Sequence, residues 1–140
     1  MPLLEQVLEE NPQTVKIVFK NFPIRSHKFA RKAAVAALAA DRQRKFWSFH
    51  DELFKNYNKL NEKKIQEIAA KLKLDKAQFE KDRQDPRLRE KVEHDYNEGV
   101  AMNISGVPTV FVNGRKLKKR SLQGFQELID KELNTLLKKK

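Results

Sequence analysis

Two β-like runs stand far apart in this sequence, with helical patterning between them. Residues 15–22 read Val-Lys-Ile-Val-Phe-Lys-Asn-Phe, a β-rich and mostly apolar stretch that suits a buried strand, and Pro23 ends it. The next such run is residues 109–112, and Asn113-Gly114 behind it is the strongest short hairpin signal a sequence offers. Residues 115–118 are then expected to return as the partner strand. A sheet that uses both runs must therefore accommodate a long helical insertion, about residues 28–102. This order predicts an α/β chain of one domain, residues 1–140, with a small mixed sheet.

The helices are marked by spacing and by their ends. Leu3, Leu4, Val7 and Leu8 recur at helical spacing over residues 1–10, and Asn11-Pro12 stops that helix. Ser26 is expected to cap a helix over residues 28–40, which carries Ala33, Ala34, Ala36, Ala37, Ala39 and Ala40 and can pack closely. Phe46, Phe49, Leu53, Phe54 and Tyr57 read as one apolar face. Asn61 caps a helix with Ile65, Ile68, Ala69 and Leu72. Asp75 with Gln78 forms a capping box before Phe79. Asp85 followed by Pro86 opens a helix toward Met102. Ser121 caps the last helix, striped by Leu122, Phe125, Ile129, Leu133 and Leu136.

Composition narrows the functions. Apolar residues make up 39% of the chain, with nine Phe, too many for disorder even at 35% charged residues. There is no cysteine, which excludes disulfides, thiolate metal sites and a thiol nucleophile within these 140 residues. No apolar run approaches the ~20 residues a membrane span needs. Met1-Pro2-Leu3-Leu4-Glu5 has neither the basic nor the apolar region of a signal peptide. The net charge of +11 is uneven, with nine Lys/Arg against three Asp/Glu in residues 115–140. Lys116, Lys118, Lys119 and Arg120 form one cluster and residues 138–140 another. Such clusters can bind phosphate backbones. The preferred reading is solubility together with lysine at a helix C-terminus, because no stacking aromatics interleave them; nucleic acid is a disfavoured partner.

His27, His50 and His94 do not fit metal-ligand spacing and read as capping or packing residues, so no metal site is expected. Asp51 and Glu52 beside His50 point to different helix faces and read as solvated. Trp47, with Phe46 and Phe49, reads as core or groove wall. With four glycines there is no phosphate-cradling loop, and no cofactor is expected. No serine nucleophile elbow occurs, and no catalytic residue is assigned.

Gly106-Val107-Pro108-Thr109-Val110-Phe111-Val112-Asn113-Gly114 resembles the cis-proline loop and following strand of thioredoxin-fold proteins. Residues 15–22 with Pro23, His27 and the Ala-rich helix, then Phe46-Trp47, His50-Asp51 and Leu53-Phe54, and Leu74-Asp75 before Phe79, resemble the DsbA-type thiol:disulfide oxidoreductases, which carry a helical insertion that plain thioredoxins lack. The resemblance implies a thioredoxin-like fold, a periplasmic or exported setting, and an extended peptide or unfolded protein as partner. Gly106, Val107, Pro108 and Thr109 would be substrate-binding, with a cis bond before Pro108 baring the Val107 backbone.

The departure from the family is as informative. Its members deliver a Cys-x-x-Cys motif on a first strand, where a helix N-terminus stabilises a thiolate. Here Met1-Pro2-Leu3-Leu4 resembles the stretch just after that motif, so Met1 is expected to be an internal methionine of a truncated chain. Without thiols the chain is expected to be redox-inactive. The alternatives are a redox-inactive peptide-binding module that uses the same groove, or a basic nucleic-acid or anionic-surface binder. The missing strand would leave a gap in the sheet, so the fragment is expected to close it, or to form a homodimer through unpaired or swapped strands.

Overall fold

A computed structural model describes residues 2–138; Met1, Lys139 and Lys140, and with them the reading of Met1 and most of the terminal lysine cluster, lie outside the described residues. The elements run α1 (Pro2–Glu10), α2 (Ala30–Asp41), α3 (Phe46–Lys55), α4 (Glu62–Lys71), α5 (Lys76–Arg83), α6 (Pro86–Ala101), β1 (Phe111–Val112), β2 (Arg115–Lys116) and α7 (Leu122–Lys138). They fall into two compact units, one from Met1–Phe19 with Ile104–Lys140 and the other Lys20–Asn103.

The Lys20–Asn103 unit is helical and centres on α2. Ala33, Ala36, Ala37, Ala39 and Ala40 are all buried. Their methyl-sized side chains let α3, α5 and α6 come close to α2. Phe49, Ile65 and Phe79 are fully buried among them, and the Phe49 and Phe79 rings lie 5.6 Å apart. Truncating either Phe would cost about 3–5 kcal/mol.

Local end signals decide where these helices start. The Asn61 side chain accepts from the Lys64 N–H at 2.8 Å, and Asp75 accepts from the Gln78 N–H at 2.8 Å. The reciprocal arm of that capping box is not Gln78, which donates to Asp82 at 3.0 Å. Gln43 supplies it instead, accepting from the Asp75 N–H at 2.8 Å. Asp85 caps α6 through the Arg87 N–H, with Pro86 in the first turn. Ser26 does not cap α2. The chain turns there, the His27 N–H donating to the Ile24 carbonyl and the Ala30 N–H to the His27 carbonyl. The helix starts at Ala30, out of Ser26's reach, with Phe29 at its cap position and no side-chain cap bond.

The expected face of α3 separates into two rows. Phe49 and Leu53 are buried, whereas Phe54 and Tyr57 are exposed. Phe54 is seven residues past Trp47 and four past His50, so these three form a row of their own.

In the other unit α1, the hairpin and α7 enclose Val7, Leu117, Phe125 and Ile129. β1 and β2 are antiparallel, with Phe111 opposite Lys116 and Val112 opposite Arg115. Asn113 and Gly114 turn the hairpin with φ of 48° and 82°, the positive pair that a two-residue turn of the right hand requires. The Leu117 N–H donates to the Val110 carbonyl at 2.8 Å, extending the pairing by one step. The side chains of Asn11 and Gln126 exchange hydrogen bonds of 2.8 and 3.1 Å and tie α1 to α7.

Residues 15–22 form no strand. Val15 to Val18 alternate half-buried and exposed, as a strand's faces would, but β1 and β2 pair only with each other. Strand propensity is present and a ladder partner is not. The sheet is accordingly a two-stranded antiparallel hairpin.

Candidate functional site

The loop leading into β1 holds the four residues singled out by the sequence. α6 ends at Ala101, and Asn103 takes a left-handed conformation with φ 59°. Gly106, Val107 and Pro108 are exposed, and Thr109 is half-buried. The Val107–Pro108 peptide bond is cis. The Thr109 hydroxyl donates to the Gly106 carbonyl at 2.6 Å, closing the loop on itself. The loop then enters the hairpin, whose Val110, Val112 and Leu117 pack with Phe125 and Ile129 of α7. Its far end is thus held by a hydrophobic core, while its near end stays at the surface.

Val107 has 49% of its surface exposed. Neither its N–H nor its carbonyl takes a backbone hydrogen bond among the described residues. An extended chain laid alongside could therefore pair with it as an added strand would. A Cβ at Gly106 would meet nothing within 4 Å, so the glycine leaves the loop surface open rather than relieving a clash.

The titratable groups of α3 serve packing. His50 is 3% exposed, and its ring lies 4.5 Å from Phe54, 5.5 Å from Trp47 and 5.7 Å from Phe46. Burial pulls its pKa below the ordinary histidine value, opposed in part by Asp51, whose Oδ1 is 3.7 Å from Nδ1. Glu52 is not the solvated carboxylate expected. It is buried and accepts from Lys71 of α4 at 2.9 Å. The Lys71 hydrogen bond outweighs desolvation and holds its pKa below the ordinary range. His94 is exposed beside Glu98, and His27 sits in the turn before α2. Among the described residues no three His, Cys, Asp or Glu side chains could hold a metal ion.

Two carboxylate networks went unread in the sequence because they join distant positions. Asp95, 2% exposed, accepts from the Asn21 N–H and side-chain amide at 3.0 and 2.9 Å and from Lys91 at 2.8 Å. Burial raises its pKa, but these three donors hold it below the ordinary value. Arg42 bridges Asp82 at 3.0 Å and Asp85 at 2.9 Å. It lines an open cavity of about 620 Å³ with Gln78, Lys81 and Arg87. Asp85 lies far below the usual carboxylate range, held first by Arg87 and then by Arg42. Each carboxylate there already has a guanidinium, so the network ties α2 to α5 and α6.

Residues 2–131 match the family model described as Thioredoxin. The chain is 34% identical over 127 residues to the probable disulfide bond formation protein D of Bacillus anthracis, covering 85% of this chain and 58% of that protein. The Bacillus cereus protein of the same description is 35% identical over 128 residues, with the same coverage. The chain thus spans 58% of the length of these curated relatives. It is also 34% identical over 104 residues to the Na(+)/H(+) antiporter NhaA 3 of Salinispora tropica, covering 74% of this chain but 16% of the antiporter. Among solved structures, a thioredoxin-like oxidoreductase from Silicibacter pomeroyi superposes with a TM-score of 0.81 at 23% identity, covering 96% of this chain and 77% of that one. The fold is therefore thioredoxin-like, with seven helices and a two-stranded sheet among the described residues. No helix among the described residues is long and apolar enough to cross a membrane.

Proposed function

This chain belongs to the thioredoxin family, and from that premise we propose that it holds extended peptides in disulfide metabolism without exchanging thiols itself. One observation carries the reading. Val107 is half exposed, with its main-chain N–H and carbonyl unengaged by backbone partners, in a loop that runs directly into β1. An extended peptide added at this point gains backbone hydrogen bonds from Val107, with Gly106, Pro108 and Thr109 forming the floor beneath it. The likeness to proteins named for disulfide bond formation supports the choice of partner, an unfolded or extended chain bearing cysteines.

Thiol–disulfide exchange requires a thiolate to attack a disulfide sulfur, and these 140 residues contain no cysteine. Any exchange on a bound peptide must use thiols from elsewhere. Disulfides persist in oxidising, exported compartments, and a chain that holds such peptides would work in one.

Fluorescence anisotropy with a labelled, unstructured peptide tests the reading. The peptide should bind, and N-methylation of its backbone at the pairing residue should weaken it about three- to ten-fold, the worth of one hydrogen bond. Thr109→Val, which removes the bond that closes the loop, should weaken binding in the same direction. Insulin disulfides should be reduced by dithiothreitol no faster with the protein than without it. Equal binding of the N-methylated and unmodified peptides would overturn the proposed pairing.

A further inference from the structure

The cations of the Lys20–Asn103 unit are repeatedly neutralised. Arg42 meets Asp82 and Asp85, Lys71 meets Glu52, Arg83 meets Glu62, and Lys91 meets Asp95. The segment from the end of β2 to α7 differs. Lys116, Lys118, Lys119 and Arg120 are all exposed, and none of them forms an ion pair among the described residues. Their neighbour Arg115 does, reaching Glu132 at 2.7 Å. Four unneutralised charges are therefore shown within five residues.

The backbone beneath them is fixed at both ends. Leu117 is 8% exposed and its N–H is bound to Val110. The Ser121 N–H donates to the Lys119 carbonyl at 3.0 Å, and the Ser121 hydroxyl accepts from the Gly124 N–H at 3.0 Å. Gly124 is needed for this approach, since a Cβ there would stand 2.1 Å from the Lys119 carbonyl oxygen. The charges are held on an ordered surface.

We propose that Lys116, Lys118, Lys119 and Arg120 form a docking surface for a negatively charged phospholipid bilayer. Three of the four are lysines, compact point charges without the forked donors that select individual phosphates. Such a cluster suits a diffuse surface potential. Among the described residues none of the four cations lies over an aromatic ring; the cation–ring pairs are formed by Arg25, Arg31, Lys32 and Arg83. Single-stranded nucleic acid is held on aromatic rings interleaved with such cations, and among the described residues no ring is paired with these four. Each Lys or Arg near an anionic leaflet strengthens partitioning about five-fold, and four together about a thousandfold.

Flotation with phosphatidylcholine vesicles, with and without phosphatidylserine, tests this on the full chain. The protein should float with the anionic vesicles alone, and added salt should release it. A variant with Lys116, Lys118, Lys119 and Arg120 each changed to Gln should stay behind. A control variant with the exposed Lys59, Lys63, Lys76 and Arg89 changed to Gln has the same net charge and should still float. Circular dichroism of both variants distinguishes lost binding from lost folding. Equal flotation of the cluster variant and the native chain would overturn the proposal. So would a failure of the native chain to float, or tighter binding to an oligonucleotide than to the anionic vesicles.

Discussion

At the scale of single residues, two positions make sharp demands. Gly124 lies against the Lys119 carbonyl so closely that a Cβ would stand 2.1 Å from that oxygen. Backbone cannot swing aside as a flexible side chain can, so Gly124→Ala should lower stability by about 2 kcal/mol, read from urea unfolding. Gly106, where a Cβ meets nothing within 4 Å, is the matched control. His50 makes a different demand. Burial favours its neutral ring and pulls its pKa down from 6.5. A histidine whose folded pKa is depressed contributes most above the unfolded value, and that contribution is lost as pH falls below it. Unfolding midpoints should drop more for the native chain than for His50→Leu between about pH 7 and pH 5, since the leucine variant has no proton to bind. Parallel curves for the two proteins would show that the ring titrates as it does when unfolded.

At the scale of elements, what was legible is what is local. Asn61, Asp75, Asp85 and Ser121 cap their helices because a cap needs only the next two or three N–H groups. The Asn113-Gly114 turn was legible for the same reason. Residues 15–22 were misread because a strand is completed by a ladder partner, which no local pattern supplies. Gln43 closing the Asp75 cap, and Asp95 anchoring Asn21, join positions too far apart to be seen in a window. Helix C-termini were obscured for another reason, since they end without glycine. Lys73 takes φ 58° just past α4, while the Leu74 N–H donates to the Ala69 carbonyl at 3.1 Å and the Lys73 N–H to Ala70 at 3.0 Å. That bonding closes the helix end around a left-handed residue, a position that glycine occupies at least cost. Lys73→Gly should therefore raise stability by about 0.5–1 kcal/mol in thermal unfolding, even though glycine adds freedom to the unfolded chain.

At the scale of the whole molecule, the candidate loop became visible through the ordered resemblance of many weak motifs, because composition says nothing about Gly106 to Thr109. The same comparison frames the unfinished sheet. β1 and β2 pair only with each other, while residues 15–18 alternate in burial like a strand without joining a ladder. Val18 has 65% of its surface exposed. Apolar, strand-prone backbone that joins no ladder recruits another strand, and the nearest source at high concentration is a second copy. Light scattering over a concentration series should then show a homodimer that dissociates on dilution. Val18→Lys, which charges the edge and leaves the cores of both units untouched, should shift the equilibrium toward monomer. A dimer that survives this change would place the pairing in exchanged elements rather than in this edge. A native chain that stays monomeric at every concentration would mean that the backbone of residues 16–18 recruits no second copy.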